Sequence, residues 1–149
     1  MRLANHIAIS VFSYQIDDEA LVKKTLIDLI PFNPEDEKLQ IEQHIASGFG
    51  DERIRIFSID LKKERHTNAF LKTLMSKFSE KQKAILSSQK ESRLDEELHF
   101  FIRLEKTALE EGKIALTDSG NCYHINISIA AFPAAREIAL KVIDTISAL

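Results

Sequence analysis

The side chains in this sequence that are best suited to chemistry are basic residues that could neutralise phosphate groups. Between Lys62 and Lys90 the chain carries eight Lys and Arg residues against two Glu, a local net charge of +6 in a protein of formal net charge −3. Basic residues beside an aromatic side chain suit RNA, because the former bind phosphates and the latter stacks a base. We predict eight residues for RNA binding: Lys62, Lys63, Arg65, Lys72, Arg93, Phe101, Arg103 and Lys106.

Each of these residues also has a structural interpretation. The charge asymmetry is equally typical of two solvated amphipathic helices. Phe101 lies on the same strand face as Arg103 by alternation, yet a helix or a dimer partner could cover it. Arg93 could form a salt bridge with Asp95. The sequence leaves both interpretations open.

The densest candidate for catalysis is the acidic cluster Asp95, Glu96 and Glu97, which His99 follows. Carboxylates hold Mg²⁺ in nucleases, and Asp95 and Glu97 share one face of an extended segment. A nuclease site normally gathers carboxylates from several elements, whereas short acidic runs are usually solvated strand ends. We therefore predict no catalytic residue.

The other motifs predict neither a metal nor a cofactor. The four glycines lie apart, and none opens a helix with Lys-Ser or Lys-Thr, which argues against a phosphate-binding loop. The single Cys122 excludes an internal disulfide and every multi-cysteine metal motif. His99, Cys122 and His124 could bind zinc only if their strands paired in a favourable register.

Strands of alternating hydrophobicity must position these residues. Segments from Leu98 to Leu104 and from Tyr123 to Ile129 place apolar side chains on one face and mostly polar ones on the other. Three more strands are predicted: one over Asn5 to Tyr14, one containing Leu39, Ile41 and Ile45, and one containing Ile54 to Leu61 with a bulge near Ile56. A tight turn over Gly48 to Asp51 connects the last two.

Helices separate these strands. Asp17 is the predicted N-cap of the first helix, which ends at Pro31. Apolar residues from Phe70 to Phe78 repeat at the helical period, and Ser79 to Gln82 has the spacing of a capping box. Pro133 is predicted to open a final helix. The apolar stripe of that helix is Ile138, Val142, Ile146 and Leu149.

Helices between antiparallel hairpins predict an α+β fold of two layers, with helices on one face of a mostly antiparallel sheet. A chain of 149 residues, 44% of them hydrophobic, suits a single domain over residues 1–149. No apolar run approaches eighteen residues, and the first ten residues lack the pattern of a signal peptide. We therefore expect a cytoplasmic protein with no membrane partner.

Several motifs indicate membership of a protein family. They are Arg93-Leu94-Asp95, Arg103-Leu104-Glu105-Lys106, Gly112, Leu116 to Gly120, Phe132-Pro133, the strand Asn5 to Phe12 and the helix end Leu29 to Phe32. At these residues the chain resembles small archaeal RNA-binding proteins that are predicted accessory subunits of the RNA-degrading exosome. Glu105 and Asn121 stand where that family has Asp. The resemblance spans nearly the whole chain and implies a fold like that of the ribosomal protein that binds 5S RNA.

Three functions therefore compete. The first is a non-catalytic RNA-binding protein, accessory to RNA processing or degradation, whose partners are structured or double-stranded RNA and subunits of an RNA-processing complex. The second is a protein-interaction scaffold, favoured by the overall acidity. The third is a metal-dependent hydrolase, which only the acidic cluster supports. An exposed strand edge could also pair with a second copy to form a homodimer.

Overall fold

The structure, a computed structural model, describes residues 1–47 and 53–149, so the turn predicted over Gly48 to Asp51 lies outside the described residues. The described strands are β1 (Ala4–Ser13), β2 (Glu42–Ser47), β3 (Arg53–Leu61), β4 (His99–Glu105) and β5 (Cys122–Ile129). They form one five-stranded sheet in the order β2-β3-β1-β5-β4. The predicted α+β fold with an antiparallel sheet is confirmed.

The helices are α1 (Glu19–Asp28), α2 (Glu64–Lys77), α3 (Glu80–Ser88), α4 (Lys90–Arg93), α5 (Lys106–Glu110) and α6 (Arg136–Ser147). The capping box predicted before α3 is confirmed: Gln82 N–H donates to Ser79 Oγ at 3.1 Å, and Ser79 N–H donates to Gln82 Oε1 at 2.9 Å. Among the residues that the structure describes, no helix is long and apolar enough to span a bilayer.

The chain divides into two compact units. Unit 1 comprises Met1–Ile7, Leu61–Ile102 and Asn126–Leu149, and within it α6 packs against α2, α3 and α4. Unit 2 comprises Ala8–Asp60 and Arg103–Ile125, and within it α1 packs against α5. The single domain expected from the sequence stays a prediction.

Both units contain buried apolar side chains, to which β1, β3, β4 and β5 contribute about every second residue, whereas the described side chains of β2 are mostly exposed. In unit 1 the buried side chains include Ile7, Phe70, Leu71, Leu74, Met75, Phe100, Ile102, Ile127, Ile129 and Ile143. In unit 2 they include Ile9, Val11, Val22, Leu26, Phe57, Ile59, Leu104, Tyr123 and Ile125. The residues between them on each strand are mostly half-exposed, so the alternation predicted from the sequence is confirmed.

Two predictions about the strands are wrong. β2 begins at Glu42 rather than near Leu39: residues 34–38 form a turn, and residues 39–41 are not part of the strand. The pairing of β3 with β2 has no bulge at Ile56, since the partners along β2 advance one residue at a time from Ser47 opposite Arg53 to Glu42 opposite Ser58. Ile56 simply lies on the half-exposed face of a regular strand.

Two predictions about helix ends are also wrong. Asp18, not Asp17, caps α1, because its Oδ1 accepts the Leu21 N–H at 3.2 Å. The last helix begins at Arg136 rather than at Pro133, and its fully buried residues are Ala139, Ile143 and Ile146. A cap or helix start depends on backbone direction, which composition alone does not define.

Candidate nucleic-acid interface

Of the predicted basic residues, Lys62, Lys63 and Arg65 lie where β3 leads into α2, and Lys72 lies farther along α2. Lys62, Lys63, Arg65 and Lys72 are all exposed. Lys63 is the N-cap residue of α2 and makes no side-chain capping bond. The positive end of the helix dipole therefore adds to the local positive charge.

Arg2 holds this connection in place, although the sequence did not mark it. Its Nη2 donates to the Lys62 carbonyl at 2.6 Å and to the Asn5 carbonyl at 3.0 Å. Its Nε donates to the Ala4 carbonyl at 3.1 Å. One guanidinium thus links the start of β1 to the residue that precedes α2, and adds another cation. The hydrogen bond from Arg2 to Lys62 joins residues sixty positions apart, so no local sequence pattern predicts this role.

Two residues of α2 strengthen the same link. Asn68 Nδ2 donates to the Met1 carbonyl at 3.1 Å, and the buried Thr67 hydroxyl lies 3.5 Å from the Ala4 carbonyl. The first turns of α2 are therefore tied to the start of β1. We name the exposed cations at this place, Arg2, Lys62, Lys63, Arg65 and Lys72, the basic surface.

Several lysines elsewhere in the chain form ion pairs. Lys90 pairs with Asp144 at 2.8 Å and Lys24 pairs with Asp28 at 2.8 Å. Within residues 1–47 and 53–149, no carboxylate lies within ion-pair distance of Lys62, Lys63 or Lys72. An anion would therefore bind them without first displacing a protein carboxylate.

Arg93 is engaged by two neighbouring groups. Its Nε and Nη2 donate to Gln89 Oε1 at 2.9 and 2.7 Å, and its Nη1 donates to the Phe101 carbonyl at 3.2 Å. The half-buried guanidinium thus lies at the edge of β4. Of the predicted residues, the structure brings Arg93 and Phe101 together.

Phe101 lies beside a second aromatic ring on the half-exposed face of β4. The rings of His99 and Phe101 are 6.4 Å apart between centroids, with an interplanar angle of 25°. His99 Nδ1 lies 2.7 Å from Asn126 Oδ1 on β5. We name His99, Phe101 and Asn126 the aromatic platform. In the sequence, Asn126 is marked only by its place on the polar face of an alternating strand. Alternation does not show which residue of the neighbouring strand lies beside it, so the contact with His99 was not predicted.

Arg103 follows two residues later on the same face of β4, in unit 2, and is half-exposed. Burial lowers the pKa of His124, and the positive charge of Arg103 lowers it further. Burial raises the pKa of Cys122, which the charge of Arg103 only partly offsets. Both neighbours therefore stay uncharged near neutral pH, and the cation at this position is Arg103.

Lys106 is unavailable to RNA, which corrects its predicted role. The side chain is 4% exposed, and its Nζ donates to Asp17 Oδ2 at 2.6 Å and to the Phe12 carbonyl at 2.7 Å. Burial favours a higher pKa for Asp17, but hydrogen bonds from Lys106 and the Tyr14 N–H, with the charge of Lys106, outweigh it and lower the pKa. Lys106 is thus a structural cation inside unit 2.

The acidic cluster shows the geometry of a turn. Asp95 Oδ1 accepts the N–H groups of Glu97 and His99, each at 2.9 Å. Asp95, Glu96 and Glu97 line a shallow cleft of about 460 Å³ whose other side includes Arg136. In the described part of the chain, no three His, Cys, Asp or Glu side chains are placed to hold a metal ion. The carboxylate of Asp95 is accounted for by its own turn.

A family model described as RNA binding matches residues 6–131. A Pyrococcus abyssi protein named as RNA-binding is 24% identical over 140 residues, which cover 94% of this chain and 91% of that protein.

Two solved structures share the fold. The crystal structure of a DUF54 protein from Archaeoglobus fulgidus has a TM-score of 0.85 at 21% identity, over 96% of this chain and 99% of that one. A DUF54 protein from Methanothermobacter thermautotrophicus has a TM-score of 0.77 at 26% identity, over 97% and 98% of the two chains. The match to residues 6–131 shows that this chain belongs to the RNA-binding protein family.

Proposed function

We propose that this protein binds RNA through the basic surface and acts without catalysis, as an accessory to RNA processing or degradation in the cytoplasm. One observation carries the proposal: Lys62, Lys63 and Lys72 are exposed and, in the described residues, paired with no carboxylate. Lysines that bind phosphate release condensed counterions from the RNA, and this release favours binding. Family membership and the name of the Pyrococcus abyssi relative support RNA as the anion.

The rigidity of the basic surface also supports the proposal. Arg2 donates three hydrogen bonds to backbone carbonyls, one of them the carbonyl of Lys62. The backbone that carries Lys62 and Lys63 is therefore fixed before RNA arrives, which lowers the entropy cost of binding.

Titration of labelled single-stranded, hairpin and duplex RNAs at several salt concentrations tests the proposal. We expect affinity that falls steeply with salt and is lost in the double variant Lys62→Glu/Lys63→Glu. A matched control, Lys113→Glu/Lys141→Glu, makes the same change in net charge at two exposed lysines outside the basic surface. Equal losses in the two double variants would show that net charge alone, rather than the basic surface, governs binding.

The absence of catalysis is supported by Asp95, whose Oδ1 is engaged by two backbone N–H groups. We expect intact RNA after prolonged incubation with Mg²⁺ or Mn²⁺. Cleavage that depends on the metal and disappears in Asp95→Asn would contradict this part of the proposal and favour a hydrolase.

The accessory role rests on the resemblance of the sequence motifs to predicted exosome subunits. Affinity purification of the tagged protein after ribonuclease treatment tests it, because contacts bridged only by RNA are then removed. We expect RNA-processing subunits to co-purify. Their absence would leave an RNA-binding protein that acts outside such a complex.

A scaffold without RNA binding is the second candidate function. It is favoured by large apolar side chains that stay in solvent, above all Phe132 at 98% and Ile16 at 93% exposure. Exposed anchors of this kind are typical of protein interfaces. Failure of every RNA to bind, even at low salt, would make this function the leading one.

A further inference from the structure

The half-exposed strand face in unit 1 has an unusual composition. His6 of β1, His99 and Phe101 of β4, and Asn126 and Ser128 of β5 lie on it. Within the strand residues of this unit, this face carries no Asp or Glu, whereas Asp60 of β3 and Glu105 of β4, both in unit 2, are half-exposed in the same alternation along their strands. The opposite side of the same strands is apolar and buried. A face of rings, amides and hydroxyls without carboxylates suits an anionic ligand with flat, hydrogen-bonding groups.

The aromatic platform is the best-defined part of this face. The 2.7 Å contact with Asn126 Oδ1 requires His99 to carry a proton on Nδ1, so the ring cannot turn freely. In the neutral ring, Nε2 is then the hydrogen-bond acceptor. Phe101 lies next to it, with its ring plane only 25° from that of His99. Two near-parallel rings thus lie side by side on a half-exposed face, and Asn126 holds the ring of His99.

The platform lies at the same end of the strands as the basic surface. Ala130 N–H donates to the Leu3 carbonyl at 2.9 Å, and Ile129 N–H donates to the Leu98 carbonyl at 3.0 Å. These bonds bring the first residues of β1, the end of β5 and the start of β4 together. Three strand spacings separate the β3 end, which leads to Lys62, from β4, a distance of about 14 Å. Arg93 donates to the Phe101 carbonyl and places a further cation there.

We propose that the aromatic platform stacks an unpaired base of an RNA whose phosphates are held by the basic surface, so that the RNA bound is single-stranded at this point. This inference rests on the proposed function. A base inside a duplex is stacked on its neighbours and cannot lie on a side-chain ring, whereas bases of loops and single strands can. The exposed cations of the basic surface and the paired rings of the platform favour RNA over a protein ligand. The turn containing Glu96 and Glu97, which precedes β4, limits the surface on that side.

The test compares a single-stranded RNA oligomer, which carries one 2-aminopurine, with a blunt duplex of the same sequence. The variants are Phe101→Ala and Phe101→Leu, because leucine keeps most of the apolar volume but lacks the ring. Phe132→Ala is the matched control, since Phe132 is 98% exposed and its loss removes an aromatic ring at almost no cost in packing. Circular dichroism checks that each variant is folded.

We expect both Phe101 variants to weaken single-strand binding by roughly 5- to 150-fold, the range for losing one base-stacking contact. They should also abolish the quenching of 2-aminopurine and leave duplex binding unchanged, while Phe132→Ala behaves as wild type. Equal effects at Phe101 and Phe132, or equal wild-type affinity for single strand and duplex, would overturn the inference.

The two proposals fail in different ways. If no RNA binds, or if Lys62→Glu/Lys63→Glu changes nothing, the proposed function fails and this inference fails with it. If binding is salt-dependent and requires Lys62 and Lys63 but is indifferent to Phe101→Ala and Phe101→Leu, only the stacking site is wrong. The stacking site would also be refuted if a protein, rather than RNA, bound at the Phe101 ring.

Discussion

Neutralising Lys62 and Lys63 is the most informative perturbation of the basic surface. The double variant Lys62→Gln/Lys63→Gln keeps a polar side chain of nearly the same length at both positions but removes two charges. Neither lysine pairs with a carboxylate in the described residues, so their loss leaves no unpaired acid behind. The expected effect on folding stability is therefore small, and the effect on RNA binding is electrostatic.

Counterion release gives the magnitude. If the side chains of Lys62, Lys63, Arg65 and Lys72 each contact one phosphate of a single strand, log K falls with log salt with a slope of about −2.8. Affinity then drops about 50-fold between about 50 and 200 mM salt. With two contacts removed, the slope becomes about −1.4 and the drop about 7-fold.

Fluorescence anisotropy of a labelled RNA across this salt range measures both slopes. The control variant Lys113→Gln/Lys141→Gln removes the same charge at two exposed positions outside the basic surface and should keep the wild-type slope. An unchanged slope in Lys62→Gln/Lys63→Gln would refute the reasoning, because it would mean that neither lysine contacts phosphate. Equal changes in both double variants would also refute it.

The other predictions concern groups that position the fold. Arg2→Met loses three hydrogen bonds to exposed backbone and should lower the free energy of unfolding by about 1 kcal/mol while weakening RNA binding. Lys106→Met breaks the ion pair with Asp17 and should lower the free energy of unfolding by about 2–3 kcal/mol. This is less than for a fully buried pair because the Asp17 side chain is 23% exposed. RNA affinity should not change. The lowered pKa of Asp17 stabilises the fold above the ordinary value of 3.8, and this stability is lost as pH falls through the folded pKa. Urea titrations at neutral and acidic pH should therefore differ less in Asp17→Asn. Ser79→Ala removes an N-cap and should cost about 1 kcal/mol by the same assay.

Local patterns predicted much of this structure. Alternation correctly assigned the buried faces of β4 and β5, because side chains on a strand point to opposite sides in turn. The spacing from Ser79 to Gln82 located the start of α3, since both capping bonds join residues three apart. Asp17 was misassigned because two adjacent aspartates offer the same capping chemistry, and only backbone direction selects Asp18.

The sequence by itself determined the α+β class, the exposed cations from Lys62 to Lys72 and the position of Phe101 on the polar face of its strand. These features depend on residue type and on neighbours within a few positions. Tertiary structure alone decided that Lys106 is paired with Asp17, that Arg2 braces Lys62, and that Asn126 fixes His99. These contacts join residues that are 89, 60 and 27 positions apart, and a pairing at that separation is set by how the strands and helices pack rather than by any local spacing.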